Sequence, residues 1–163
     1  MIRLCSLYMT LAWPVGAVCG QNSSQAGGTE RGGTMATVLA VGHEIDLVTL
    51  MRWMLEDEGY VVVHAADGEA ALATLRTCPQ ALIVLLLTIR PHVHTVDILE
   101  AAVAEAAVKR HAFVLFTAAS QFLPARWREL VRVLAVPVLA KPSGVKQVLA
   151  TIADVAARQR APR

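Results

Sequence analysis

The chain has 163 residues, 55% of them apolar and 17% charged, with a formal net charge of +2. That composition excludes global disorder, and the length is that of one domain with its own core and a tail. The charge is too small for a nucleic-acid binder, and the arginines at 126, 128 and 132 and at 158, 160 and 163 read as solvated surface.

Residues 1–34 stand apart from the rest. Met1 to Cys19 carries one basic residue, Arg3, then the apolar LYMTLAW stretch and small residues near Ala17. A weak secretion signal would look like this, but Pro14 interrupts the stretch. Gln21 to Thr34 is Gly/Ser/Thr-rich and reads as a linker, so 1–34 is expected to be a disordered extension or a misassigned start before Met35. Cys5, Cys19 and Cys78 have no metal-ligand spacing, and no disulfide framework or zinc site follows from them.

From residue 35 the pattern becomes regular. Thr37 to Val41 is a short apolar first strand, followed by a Gly42-His43-Glu44 loop. Asp46 is the expected N-cap of a helix from Leu47 to Glu58, with Leu47, Leu50, Met51, Met54 and Leu55 at helical spacing and Gly59 closing it. Tyr60 to His64 is a β-branched second strand, and Asp67-Gly68 leads into a helix over 69–77.

Leu82 to Leu87 is the most continuously apolar run, bounded by Pro79 and Pro91. With no polar alternation it predicts a strand covered on both faces, the centre of a parallel sheet, and it is too short to cross a bilayer. A polar loop over 91–97 precedes an alanine-rich helix over 96–110, in which Ile98, Leu99, Ala102, Val103, Ala106 and Ala107 are available for burial. Ala112 to Phe116 is a fourth strand. Pro124 opens a helix through Trp127, Leu130, Val131 and Leu134. Pro137 to Ala140 is a short fifth strand, placed at an edge because Pro137 lacks an N–H, and Val145 to Ala157 is the last helix. Five strands alternating with five helices predict an α/β domain with right-handed parallel crossovers.

From Met35 to about Ala157 the chain resembles the receiver domain of two-component response regulators, the CheY-like family. The resemblance lies in Glu44 and Asp46 after the first strand, the segment Glu56-Asp57-Glu58-Gly59-Tyr60, and the run Ala65-Ala66-Asp67-Gly68-Glu69-Ala70-Ala71-Leu72. It continues in Pro91 after the central strand, Thr117-Ala118 after the fourth and Lys141-Pro142 after the fifth. The resemblance implies a flavodoxin-like (βα)5 fold, a doubly wound five-stranded parallel sheet of order 2-1-3-4-5, with the receiver-like domain over 35–158 and a tail over 159–163.

The family's chemistry is phosphoryl transfer from a histidine kinase to an aspartate, assisted by a divalent metal. Carried onto this sequence, the acidic pair falls on Gly42 and His43, and the phosphoacceptor falls on Leu87. The hydroxyl residue is kept as Thr117, the lysine as Lys141 before Pro142, and the aromatic switch position falls on Val138. Leucine has no lone pair to attack phosphorus, and glycine, histidine and leucine are poor ligands for magnesium. Glu44 alone remains as a nearby carboxylate, the expected partner of Lys141.

The expectation is therefore a non-catalytic, phosphorylation-independent pseudo-receiver, a cytoplasmic signalling or scaffold module with no cofactor, no metal, no direct nucleic acid and no membrane partner. Its expected partner is a protein: a histidine kinase, another regulator or a second copy. The expected face is that of the fourth helix, fifth strand and fifth helix, with Trp127, Arg128, Val131, Arg132 and Val138 mixing exposed apolar and basic groups. One alternative is a sensor for an anion or small effector in a pocket ringed by His43, Thr117 and Lys141. Another is a working receiver with a displaced acceptor, Thr88 or Asp97. His43, His92 and His94 could converge at the C-terminal sheet edge as metal ligands, but no carboxylate motif flanks them, and surface histidines are the default.

Overall fold

The structure, a computed structural model, describes residues 36–88, 93–118 and 120–161. The readings of residues 1–34, His92 and Pro91 lie outside the described residues. The elements are β1 (Thr37–Val41), α1 (Ile45–Asp57), β2 (Val61–Ala65), α2 (Gly68–Thr77), β3 (Ile83–Thr88), α3 (Val93–Ala104), α4 (Ala106–Lys109), β4 (Ala112–Thr117), α5 (Ala125–Val133), β5 (Val138–Ala140) and α6 (Val145–Arg160). A 3-10 turn, Ser120–Phe122, precedes α5.

All strand pairs are parallel and the order is β2-β1-β3-β4-β5. The predicted sheet order and class are those observed. β3 has neighbours on both sides and all six of its residues are buried, which is why its sequence shows no polar alternation. Its side chains alternate between two cores. Val84 and Leu86 join the layer under α2, α3 and α5, with Leu75, Leu99, Trp127 and Leu130. Ile83, Leu85 and Leu87 join the layer under α1 and α6, with Met51, Leu55, Phe116 and Ile152.

The helix boundaries show where local chemistry decides. α1 begins at Ile45 rather than Leu47, and Asp46 lies in its first turn. The N-cap is Glu44, whose carbonyl accepts the first helical bond from Val48 N–H at 2.9 Å while its side chain caps nothing. The buried stripe is Val48, Met51 and Leu55, and Leu50 of the expected stripe is half exposed. Gly59, at φ 88°, ends the helix: its N–H donates to Glu56 O and the Tyr60 N–H to Leu55 O, the paired bonds of a Schellman motif. Asp67 caps α2, accepting the Ala70 N–H at 2.8 Å.

The single helix expected over 96–110 is two. α3 starts at Val93, and Glu105 adopts an extended conformation (φ −112°, ψ 120°) that separates it from α4. At the break the Glu105 carboxylate takes both bonds from the Arg76 guanidinium of α2, at 2.8 and 2.7 Å. Val103, Ala106 and Ala107, expected to be available for burial, are exposed, and the short α4 buries Val108 instead. Cys78, at the end of α2, is buried and disulfide-bonded, a bond that the cysteine spacing did not imply.

Candidate functional site: the C-terminal edge of the sheet

In a parallel α/β sheet the loops after the strands gather at one edge, where the helix N-termini also point. Gly42 follows β1 there, Leu87 and Thr88 end β3, Thr117 ends β4, and Lys141 follows β5. The sequence positions singled out for the receiver pocket are thus brought together by the strand ladder, in which Leu87 lies beside Phe116 and Thr88 beside Thr117. β5 closes the row, with the Lys141 N–H donating to Thr117 O at 2.9 Å.

Gly42 is buried, and its N–H donates to Ala65 O at 3.1 Å. Its carbonyl accepts from His64 Nε2 at 2.7 Å, so that nitrogen carries the ring proton. A Cβ at position 42 would lie 3.0 Å from both Leu87 Cβ and the Leu87 carbonyl oxygen. Glycine here allows a close approach: the backbone of one strand end fits against the side chain and carbonyl of the next, which would have to give way for a larger residue. Leu87 is 7% exposed and packs in the α1/α6 core layer.

Glu44 is half-buried and His43 exposed. Thr117 is fully buried and its contacts are satisfied within the protein, as are those of Thr88, which is 4% exposed. The Lys141 ammonium sits 5.1 Å from the centre of the Phe116 ring, within cation–π range. Burial pushes the Lys141 pKa down, and the charge of Glu44 opposes that shift without closing an ion pair within 4.0 Å. The Lys141-Pro142 peptide bond is cis.

Chemically this edge offers one partly desolvated amine, one carboxylate at Glu44 and the buried hydroxyls of Thr88 and Thr117. The residues at 42, 43 and 87 do not fit magnesium, which takes hard, charged oxygen ligands. Among the described residues no three His, Cys, Asp or Glu side chains are placed to hold a metal ion. His94, expected in a loop, is instead on α3, where its Cβ and carbonyl border Gly68 at the start of α2.

The expected interaction face is only partly a surface. Trp127 is 4% exposed and belongs to the core, and Val131 and Val138 pack against the same core. Position 127 lies on the inner stripe of α5, whereas Arg128 and Arg132 lie outside it and are exposed. The large apolar groups of α5 and α6 that do reach solvent are Val133 and Val145, which sequence periodicity did not single out. Two structural roles were also missed: His64 as donor to Gly42 and Phe116 as the ring under Lys141.

No protein-family model and no curated protein sequence matches the chain. Solved structures match its fold. The chemotaxis response regulator CheY4 of Vibrio cholerae superposes with a TM-score of 0.61 at 24% identity, covering 75% of this chain and 99% of that one. A CheY-like receiver domain protein from Methanospirillum hungatei gives 0.62 at 17% identity, covering 77% and 97%. The response regulator TrrA from Thermotoga maritima, solved in complex with Mg(2+)-BeF, gives 0.58 at 22% identity, covering 74% and 99%. The fold and topology are those of CheY-like receiver domains. No described helix is long and apolar enough to cross a membrane.

Proposed function

We propose that the protein is a phosphorylation-independent pseudo-receiver that acts in signalling by binding a protein partner. The observation that carries this reading is the fit of Leu87 against Gly42 at the edge of an otherwise complete receiver fold. Where an acceptor carboxylate and its metal ligands would stand, the chain has a buried leucine and a glycine whose Cβ would meet that leucine at 3.0 Å. Leu87 cannot form an acyl phosphate. Thr88 is buried, and Asp97 is a surface carboxylate on α3, so neither is set up as a displaced acceptor.

The partner face in this reading is α5, β5 and α6, through exposed Arg128, Arg132 and Val133 on α5 and exposed Val145 on α6. A histidine kinase, another regulator or a second copy would meet it. Incubation with acetyl phosphate and magnesium followed by intact-mass measurement tests the first half: no mass increase is expected, and stoichiometric addition of one phosphoryl group overturns the reading. Sedimentation of the protein across micromolar concentrations tests the second-copy partner.

An anion-sensing role is the second reading, favoured by the partly buried Lys141 ammonium, which forms no ion pair among the described residues. It requires a rise in melting temperature with phosphate-bearing ligands that Lys141→Ala abolishes.

A further inference from the structure

The opposite, N-terminal edge of the sheet holds a buried titratable group that the receiver reading does not use. His111, at the turn between α4 and β4, is 5% exposed, and both ring nitrogens are engaged by backbone. The Leu82 N–H donates to Nδ1 at 3.0 Å. Nε2 lies 2.8 Å from Leu75 O, one of the last carbonyls of α2. A backbone N–H can only donate and a carbonyl can only accept, so the ring is neutral with its proton on Nε2.

This one side chain therefore ties the end of α2 to the residue that leads into β3. Leu82 is held on its other side too, its carbonyl accepting from Ala112 N–H at 3.0 Å and from Gln159 Nε2 of α6 at 2.9 Å. Residues 78–81, between the two tied points, lie outside helix and strand.

We propose that His111 is an acid-sensitive latch: taking up a proton at Nδ1 breaks its bond to Leu82 and loosens the α2–β3 connection while the sheet stays folded. The added proton would stand against the Leu82 N–H, donor facing donor, in a buried site. The Leu75 and Ala107 carbonyls favour the charged ring but do not outweigh its burial, and the surrounding charges give no relief. From the turn after α4, the Arg110 guanidinium reaches the Cys78 and Pro79 carbonyls and opposes a second positive charge. From α2, Arg76 is paired with Glu105, so that carboxylate is already committed. Lys109 of α4 is a further cation, and α6 contributes neutral Gln159 between Arg158, paired with Asp154, and Arg160. Burial accordingly holds the imidazole below its ordinary pKa.

Amide exchange of the full chain, followed residue by residue by NMR and corrected for intrinsic rates, tests this. With the ring's pKa lower closed than open, the Leu82 opening constant should rise about tenfold per pH unit below about 6.5, as the open state takes up the proton first. Val84 and Leu86, in the same strand, should not follow. Ring nitrogen shifts should show the Nε2–H tautomer at neutral pH. His111→Gln keeps a donor and an acceptor but takes up no proton, so it should abolish the rise at Leu82. A Leu82 amide that opens no faster in acid, an Nδ1–H ring, or an equal rise in His111→Gln overturns the proposal. If that variant does not fold, the first two measurements on the unaltered protein decide.

Discussion

Gly42 and Leu87 occupy one space: a Cβ built on Gly42 would stand 3.0 Å from Leu87 Cβ and 3.0 Å from the Leu87 carbonyl oxygen. The contact joins the ends of two neighbouring strands, β1 and β3, so a side chain at 42 presses on the backbone of the next strand. Gly42→Ala should destabilise the fold by about 1–3 kcal/mol, because the carbonyl it meets belongs to a paired central strand and cannot rotate away. Gly144→Ala is the control, since nothing lies within 4 Å of a Cβ there, and it should stay within about 0.5 kcal/mol. Urea unfolding of both variants measures the difference; equal effects would show that the Gly42 contact relaxes freely.

Returning the acceptor residue should not return the chemistry. Leu87→Asp puts a carboxylate at a 7% exposed position in the α1/α6 core layer, with no acidic neighbours at 42 and 43 to bind a metal beside it. It should cost at least about 2 kcal/mol in denaturant unfolding, and intact mass after acetyl phosphate and magnesium should show no added phosphoryl group. Phosphorylation of this single variant would mean that the edge supplies metal ligands that Gly42 and His43 do not.

How much of this was legible in the sequence depends on range. The continuous run at 82–87 announced a strand buried on both faces because burial on both faces removes the selection for alternation, and the βα alternation fixed parallel pairing. Leu87 could be placed at the edge because it ends the apolar run, and the resemblance to receiver domains put the acceptor position there, four residues before Pro91. Phase on a helix was less legible: Leu50 and Val48 are both apolar, and only the direction in which α1 leaves Glu44 selects Val48 for the core. Trp127 shows the same ambiguity, as an aromatic at helical spacing serves a core or an interface equally well. The break at Glu105 and the engagement of His111 were out of reach, since their partners, Arg76 and Leu75 with Leu82, lie about 30 residues away in sequence.

That ambiguity at α5 separates core from surface experimentally. Trp127→Ala should lose about 3–5 kcal/mol of stability, the cost of a cavity beneath a helix. Arg128→Ala and Arg132→Ala, exposed on the same helix, should each change stability by less than about 0.5 kcal/mol. If α5 carries the partner face, the arginine variants reduce association without loss of melting temperature. A large stability loss from either arginine variant would show that these side chains are structural after all.

Lys141 gives the edge its own pH signature. Burial holds its pKa below the ordinary lysine value and Glu44 pulls the other way, so the folded-state pKa is depressed relative to the unfolded chain. Between those two values the unfolded state binds more protons, and stability contributed by this group rises as pH increases through the window. Below it the charged amine is fully present and its desolvation counts against folding; above the ordinary lysine range, about 10.4, that cost is gone. A carbon NMR titration of the Lys141 ε-carbon should find it titrating below the ordinary lysine value. Glu44→Gln removes the opposing charge and should move Lys141 lower still, widening the window toward neutral pH. A Lys141 that titrates at the ordinary lysine value, or that rises in Glu44→Gln, would mean that the amine is solvated and does not rest over the Phe116 ring.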